Sequence, residues 1–433
     1  MTPTPLPRRR FLQALGASAL GASLIPSLEA RSLQIRRAAS EISFRGDDPG
    51  SVQALRGAYL LARDILYVNH ASIGTIPREV HDARVALLAL CEENPWLYMW
   101  GAPWEEARED ARSALAGFLG THPDDLALTH NTTEGFNLLG NGLPLGPGDE
   151  VVYTSLNHAG ASVTWVHNAR RRGFAVRQVE FPILDTPGMS ADDVVRFHLE
   201  ALTPRTRVLA FPHVDNLVGI RHPMRALAAG ARAAGVRVVA VDAAQSAGMI
   251  PVDLAGAGVD LYAGSPHKWL QAAKGLGFAY LSPSVRQGLE PSWVTWGQAR
   301  WGGTVRRFED YGTRNLAETV NLSDAVAFQA ALGAAQKEVR YRALWDWMYR
   351  RVDASRGLTW RSPRRWEEGA SLVAVEVAGA SAPEVAGRLL REHGVVMRAF
   401  GPPLNSVRIS PHLSTTEQEL ETLFRLLEEA ANP

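Results

Sequence analysis

The chain has 433 residues, with Lys plus Arg and Asp plus Glu both at 45, and 46% hydrophobic residues. That length exceeds one ordinary core and predicts at least two domains in a globular chain. Zero net charge excludes a nucleic-acid partner held by bulk charge, and the single cysteine, Cys91, excludes an intrachain disulfide or a cysteine-based metal cluster. Cys91 closes the apolar run Val85–Cys91, which predicts a buried, inert thiol.

In chain order, the first thirty residues stand apart. Arg8-Arg9-Arg10-Phe11-Leu12 opens an Ala/Gly-rich apolar stretch that reaches Ile25 and is broken by Pro26. A basic start before about 14 apolar residues fits a signal h-region and is too short to span a bilayer. Arg8-Arg9-x-Phe-Leu resembles the twin-arginine (Tat) export signal. Pro7 stands where Ser or Thr is usual, and no clean Ala-x-Ala cleavage site follows. Residues 1–30 are therefore expected to be a Tat-type signal peptide read by the Tat export machinery. Because that route carries folded proteins, the expected location is periplasmic or otherwise exported.

Residues 31–63 read as a polar arm with one helical stretch, Ser51–Arg63, and no later segment is apolar enough for a membrane anchor. From Ile65 to about Ser282, β-branched runs alternate with longer helical ones. Strands are expected at Asp125–Thr129, Glu150–Ser155, Ala175–Phe181, Arg207–Pro212, Val236–Asp242, Leu261–Gly264 and Gly277–Leu281. Helices are expected between them at Glu134–Gly142, Ala161–Arg172, Ala191–Leu202 and Pro223–Ala234. This alternation predicts an α/β fold, a mostly parallel doubly wound sheet with helices on both faces. Ligands of such sheets sit beyond the carboxyl ends of the strands. Polar clusters fall at those ends: His130–Thr133, Ser155–His158, His213–Asn216 and Asp242–Gln245.

After Leu316 the chain reads as helical through Tyr349. A strand at Ser371–Val377, a helix at Ala382–His393, strands at Val395–Arg398 and Ser406–Ile409, and a terminal helix Thr415–Ala431 follow. The expected division is a large domain over 64–316 and a smaller C-terminal α/β domain over 317–433.

Ser265-Pro266-His267-Lys268 ends one strand, and Asp242 ends another. A lysine amine, a carboxylate at a strand end and hydroxyls opening a helix are the three things pyridoxal phosphate (PLP) asks of a protein. The amine forms a Schiff base and moves protons. The carboxylate keeps the pyridine nitrogen protonated, and the helix N-terminus grips the phosphate. Lys268, Asp242 and Asn131-Thr132-Thr133 fill these roles, and Gln245 is placed to donate to the ring hydroxyl.

Asp242-Ala-Ala-Gln245-Ser-Ala-Gly248, Asp260, Ser265-Pro-His267-Lys268 and Gly275-Leu-Gly277 together resemble the signature of class V aminotransferases. That family includes cysteine desulfurases, isopenicillin N epimerases and kynureninase-like lyases. The resemblance spans roughly Ile65 to Thr416. It implies the PLP-dependent fold type I, with a mostly parallel seven-stranded sheet, and a substrate of the amino-acid class. It also implies that Thr132, Thr133, Ser265 and His267 hold the phosphate and that His158 stacks on the ring. Asn216 would approach the ring hydroxyl, and Arg408 would fix a substrate α-carboxylate. His70 and Ser72, in Asn69-His-Ala-Ser72, would line the substrate pocket. Thr313, in Tyr311-Gly-Thr-Arg-Asn315, would reach the phosphate of a second subunit, which implies a homodimer.

Cysteine desulfurases need a nucleophilic cysteine shortly before the carboxylate arginine, and residues 397–407 contain none. The Asn69-His70-x-Ser72-x-Gly74 opening leans toward the isopenicillin N epimerase-like branch. Transamination, epimerisation and β-elimination share this machinery and stay open. A periplasmic enzyme tailoring an amino-acid residue of a peptide siderophore is one setting; a non-catalytic PLP-fold binding protein is the alternative of another class. A metal-dependent hydrolase is disfavoured, since no His-x-x-x-His or His-Glu-x-x-His spacing occurs.

Overall fold

The structure is a computed structural model that describes residues 28–431. Apart from residues 28–30, the expected signal segment lies outside the described residues. The arm carries two helices rather than one, Leu28–Glu41 and Pro49–Gly57. The second starts earlier than expected, because Asp48 caps it by accepting from the N–H groups of Gly50 and Ser51.

Strand β1 (Leu66–Tyr67) is followed by the strands of a seven-stranded sheet: β2 (Leu126–Thr129), β3 (Glu150–Thr154), β4 (Ala175–Val179), β5 (Thr206–Pro212), β6 (Val238–Asp242), β7 (Leu261–Gly264) and β8 (Gly277–Leu281). Their spatial order is β2-β8-β7-β6-β5-β3-β4, and only β8 runs against its neighbours. The apolar runs Val151-Val152-Tyr153 and Val238-Val239-Ala240-Val241 are buried throughout, as strands covered on both faces must be. The α/β fold with a mostly parallel sheet of seven strands is thus the observed one.

A second sheet of four antiparallel strands has the order β12-β13-β10-β9, made of β9 (Leu358–Trp360), β10 (Val373–Val377), β12 (Arg398–Phe400) and β13 (Ser406–Ile409). The expected strand Val395–Arg398 is split into β11 (Val395–Val396) and β12. β11 leaves that sheet to pair in parallel with β1, Leu66 opposite Val395. Asn69 then bridges to Ser410, so the N-terminal loop lies alongside the end of β13. The terminal helix begins at Glu417, two residues later than expected, because Thr416 and Glu419 cap it reciprocally.

Helices Arg78–Glu93 and Ala102–Leu119, which strand-led reading does not separate, pack with Leu28–Glu41 around the buried helix Leu316–Leu332. No helix among the described residues is long and apolar enough to cross a membrane.

Candidate active site

The carboxyl ends of β2, β6 and β7 meet at one place. Helix Thr132–Gly142 follows β2 directly, with Asn131 as its cap accepting from the Glu134 N–H at 2.9 Å. It presses close onto the sheet: a Cβ on Gly135 would stand 2.5 Å from that of Ala263 in β7. This brings Thr132 against Ser265 just beyond β7. The Thr132 N–H donates to Ser265 Oγ at 2.9 Å, and the two hydroxyls lie 2.8 Å apart. Thr133 sits on the neighbouring turn, where a Cβ on Gly160 would be 2.5 Å from its hydroxyl. Two hydroxyl side chains and a helix N-terminus therefore share one anion-binding corner. Nearby His267 keeps a buried Nδ1 with no hydrogen-bond partner. Burial and the Lys268 charge push its pKa down to about 4, leaving a neutral ring.

Lys268 and Asp242 face the same space. Burial lowers the Lys268 ammonium to about 8, partly offset by the Asp242 charge. Burial raises Asp242, opposed by the Ala244 N–H, which it accepts at 2.9 Å, and by Lys268 and His158. Each feels the other's charge, yet no ion pair joins them among the described residues. A buried carboxylate and a half-buried amine that feel each other without pairing could bracket a flat group. His158 completes the set. Its Nδ1 accepts from the Gly160 N–H at 3.0 Å and caps helix Ala159–Arg172, which orients the imidazole. The residue is exposed overall, yet partial burial of its ring lowers the pKa; Lys268 and Arg408 add to that and Asp242 opposes it.

Behind Asp242, Tyr262 bonds His213 Nδ1 at 2.9 Å and Ser246 Oγ at 2.6 Å, a buried polar support that motif reading does not single out. Gln245 is committed elsewhere than its sequence position suggests. Its Nε2 donates to the Ala71 carbonyl at 2.9 Å, and its Oε1 accepts from Trp269 Nε1 at 2.8 Å. The amide thus ties the Asp242 loop to the N-terminal loop, with one N–H left over.

Arg408, at the centre of β13, is 3% exposed. Its guanidinium donates to the Asn216 carbonyl at 2.8 Å, Asn69 Oδ1 at 3.0 Å and Ser72 Oγ at 2.6 Å, while Nε has no partner. Burial, with Arg398 nearby, depresses its pKa to about 10. No carboxylate pairs with it among the described residues. The Asp215 charge reaches it, but that carboxylate is taken up by the N–H groups of Leu217, Val218 and Ile220, and a buried cation with no directly paired carboxylate marks a site for an incoming anion. Asn216 contributes its backbone to this arginine, and Ser72 its hydroxyl.

Two predicted residues stand apart. His70 is buried against His412 and Tyr67, at ring separations of 4.8 and 5.0 Å, with neither ring nitrogen hydrogen-bonded. Burial drops its pKa to about 3. Within one chain it is part of the packing under the N-terminal loop. Thr313 is exposed and lines a surface cavity of about 390 Å³ with Trp104, Trp296 and Trp301, separate from the Lys268 cluster.

Sequence reading names Gly74 only as part of the opening motif, and its role is steric. Its N–H donates to the His267 carbonyl at 2.9 Å, and a Cβ there would lie 2.2 Å from the Lys268 carbonyl oxygen. Only a residue without a side chain lets the loop lie this close to the lysine.

The chemistry of these donors fits PLP. A carboxylate for a ring nitrogen, a depressed amine for a carbonyl carbon and a hydroxyl-lined helix terminus for a phosphate surround one space.

Comparisons with known proteins agree. The family description "Aminotransferase class-V" matches residues 67–423. The chain is 33% identical over 384 residues to the isopenicillin N epimerase of Amycolatopsis lactamdurans, covering 84% of this chain and 94% of that one. It is 30% identical to the isopenicillin N epimerase of Streptomyces clavuligerus, covering 86% and 96%. The solved structure of the cysteine desulfurase CsdA from Escherichia coli superposes with a TM-score of 0.74 at 24% identity, covering 88% of this chain and 98% of that one. A C-DES structure with glycine covalently linked to its PLP cofactor gives a TM-score of 0.74 at 23% identity, covering 85% and 97%. At such identities the structures speak for the fold, and the family match and the epimerases speak for kinship. The chain belongs to the class V aminotransferase family of PLP-dependent enzymes, which act on amino acids.

Proposed function

We propose that this protein binds PLP at Lys268 and removes a proton from the α-carbon of an amino-acid substrate whose carboxylate docks on Arg408. The observation that carries this reading is that buried Asp242 and half-buried Lys268 feel each other's charge without forming an ion pair. Bound PLP supplies an electron sink conjugated to the substrate α-carbon.

The protein's own residues supply the rest. Thr132, Thr133, Ser265 and His267 would hold the phosphate. Asp242 gains a cationic neighbour when a ring nitrogen beside it is protonated, which offsets the burial that otherwise raises its pKa. Lys268, depressed to about 8, is poised to accept and return a proton near neutral pH. Arg408 fixes the carboxylate by a bidentate pair, and with it the direction of the Cα–H bond. His158, whose pKa is lowered by partial burial, would stack on the ring.

Two epimerases among the named relatives favour proton return to the opposite face of the α-carbon over amino transfer. The desulfurase outcome lacks its nucleophile: the single cysteine, Cys91, lies on helix Arg78–Glu93 against the cluster of Leu87, Tyr98 and Trp104. No residue of the site selects for a peptide siderophore, and the proposal does not extend to one. A homodimer in which Thr313 serves the partner's phosphate, and export as a folded protein through the Tat route, are parts of this reading carried by the motifs alone.

The test is direct. Protein reconstituted with PLP is expected to be yellow, with a band that borohydride bleaches and a mass increment on the peptide containing Lys268. In deuterated water the substrate α-hydrogen should exchange. A Lys268→Ala variant that kept the reducible adduct would overturn the assignment.

A further inference from the structure

Beside the site lies a second cavity, of about 230 Å³, that the reaction above leaves unused. Its walls include Thr129 and His130, immediately before the Asn131–Thr133 corner, and Lys274, Gly275 and Leu276, on the stretch that leads from Lys268 into β8. Arg108, Arg314 and the start of helix Leu316–Leu332 close it.

The charges around it do not balance. Lys274 makes no ion pair or hydrogen bond among the described residues. Arg108 has one ion pair, with Glu109 at 3.5 Å, and feels the charge of Glu309; Arg112 at 3.0 Å and Arg306 at 2.5 Å already hold the first carboxylate, and Arg112 at 2.7 Å holds the second. The Arg108 Nε is buried and makes no hydrogen bond. Arg314 is matched by Asp310 at 2.9 Å. The one carboxylate of the wall, Glu318, is taken by Arg84 through bonds of 2.7 and 2.8 Å. His130 is held by Glu134 at 2.7 Å. Lys274 is thus unpaired among the described residues, Arg108 shares its carboxylates with other arginines, and the positive end of a 17-residue helix opens beside them. The Lys274 charge reaches both His267, next to Lys268 in sequence, and His70 of the N-terminal loop.

We propose that the cavity bounded by Arg108, Lys274 and the N-terminus of helix Leu316–Leu332 is a second oxyanion site that takes the distal acidic group of the substrate. The substrate class is then an amino acid with a carboxylate, or a comparable oxyanion, at the end of its side chain. This rests on the reading that Arg408 takes the α-carboxylate. Two separate cationic anchors would hold such a molecule at both ends, which fixes its α-carbon better than either alone.

The experiment is equilibrium titration of the PLP-loaded protein, followed by the absorbance of the bound cofactor. The probes are glutamate against glutamine and aspartate against asparagine, pairs that differ in the distal charge and little in shape, each as both enantiomers. At least one acidic member should bind ten times tighter than its amide. Lys274→Met, at an exposed position, should abolish that preference while changing the amide's affinity less than twofold. Arg108→Met should act in the same direction. Absence of any preference in the unaltered protein, or equal weakening of acid and amide in the variants, overturns the proposal. So does a weaker hold on PLP itself in Lys274→Met, which would assign the cavity to the cofactor phosphate. If Arg408→Met leaves all eight probes bound as before, the α-carboxylate assignment fails instead, whatever Lys274 does.

Discussion

Arg408 offers a prediction in which stability and function separate. Its charged form is disfavoured by burial: the depression of its pKa to about 10 corresponds to about 3 kcal/mol against the cation. In Arg408→Met that cost disappears and the apolar stem volume is kept. Three neutral acceptors, the Asn216 carbonyl, Asn69 Oδ1 and Ser72 Oγ, lose their donor, at about 1 kcal/mol each. The two effects nearly cancel, so unfolding free energy should stay within about 1 kcal/mol of the parent. Substrate binding should behave differently. Two charge-assisted bonds to a carboxylate contribute about 1.5 kcal/mol or more apiece, so KM should rise about 100-fold. Denaturant unfolding and steady-state kinetics on the same preparation separate the two. A variant destabilised by more than about 3 kcal/mol with KM unchanged would refute the reasoning and make Arg408 a structural residue.

Three further outcomes are expected. Gly74→Ala places a methyl group 2.2 Å from the Lys268 carbonyl. Because neither backbone yields easily, it should lose about 1–3 kcal/mol of stability and about 100-fold in turnover as the lysine shifts; full activity at an unchanged Tm would show the loop to be compliant. Arg112→Met breaks the buried pair with Glu309, whose carboxylate also accepts from the Leu128 N–H at 2.7 Å in β2. It should destabilise the chain by about 3–5 kcal/mol by chemical denaturation, and a loss below 1 kcal/mol would contradict that. For cofactor-free protein, Lys268 binds fewer protons folded than unfolded, because burial depresses its pKa to about 8. Stability from this group therefore rises with pH from about 8 toward the ordinary lysine range. Lys268→Met should flatten that rise, and identical pH profiles would show that the amine is solvated.

Much of the site was legible because it sits at strand ends. Val238–Asp242 and Leu261–Gly264 are apolar runs that stop at polar residues, and a parallel sheet buried on both faces puts those stops at one edge. Asp242, Lys268, Thr132, Ser265 and His158 share that edge for this reason, and local pattern suffices to find them. The arm was less legible. Helix Leu28–Glu41 is strongly polar in sequence and is held by its packing on helix Leu316–Leu332, a partner far along the chain.

The chain's linear order thus determined the sheet, its polar edge and the acid and amine that meet there, since each depends on residues a few positions apart. Tertiary structure alone decided how those groups are held. Arg408 meets Asn69 and Ser72 across 339 and 336 positions, because β1 pairs with β11 and carries the N-terminal loop to β13. The same long-range closure turns the Gln245 amide toward Ala71 and packs His70 beneath the loop. It also leaves Lys274, unpaired among the described residues, and Arg108, which shares its carboxylates with other arginines, facing one cavity. Burial and counter-charge belong to the packed molecule, and they determine which of its cations are left to bind an anion.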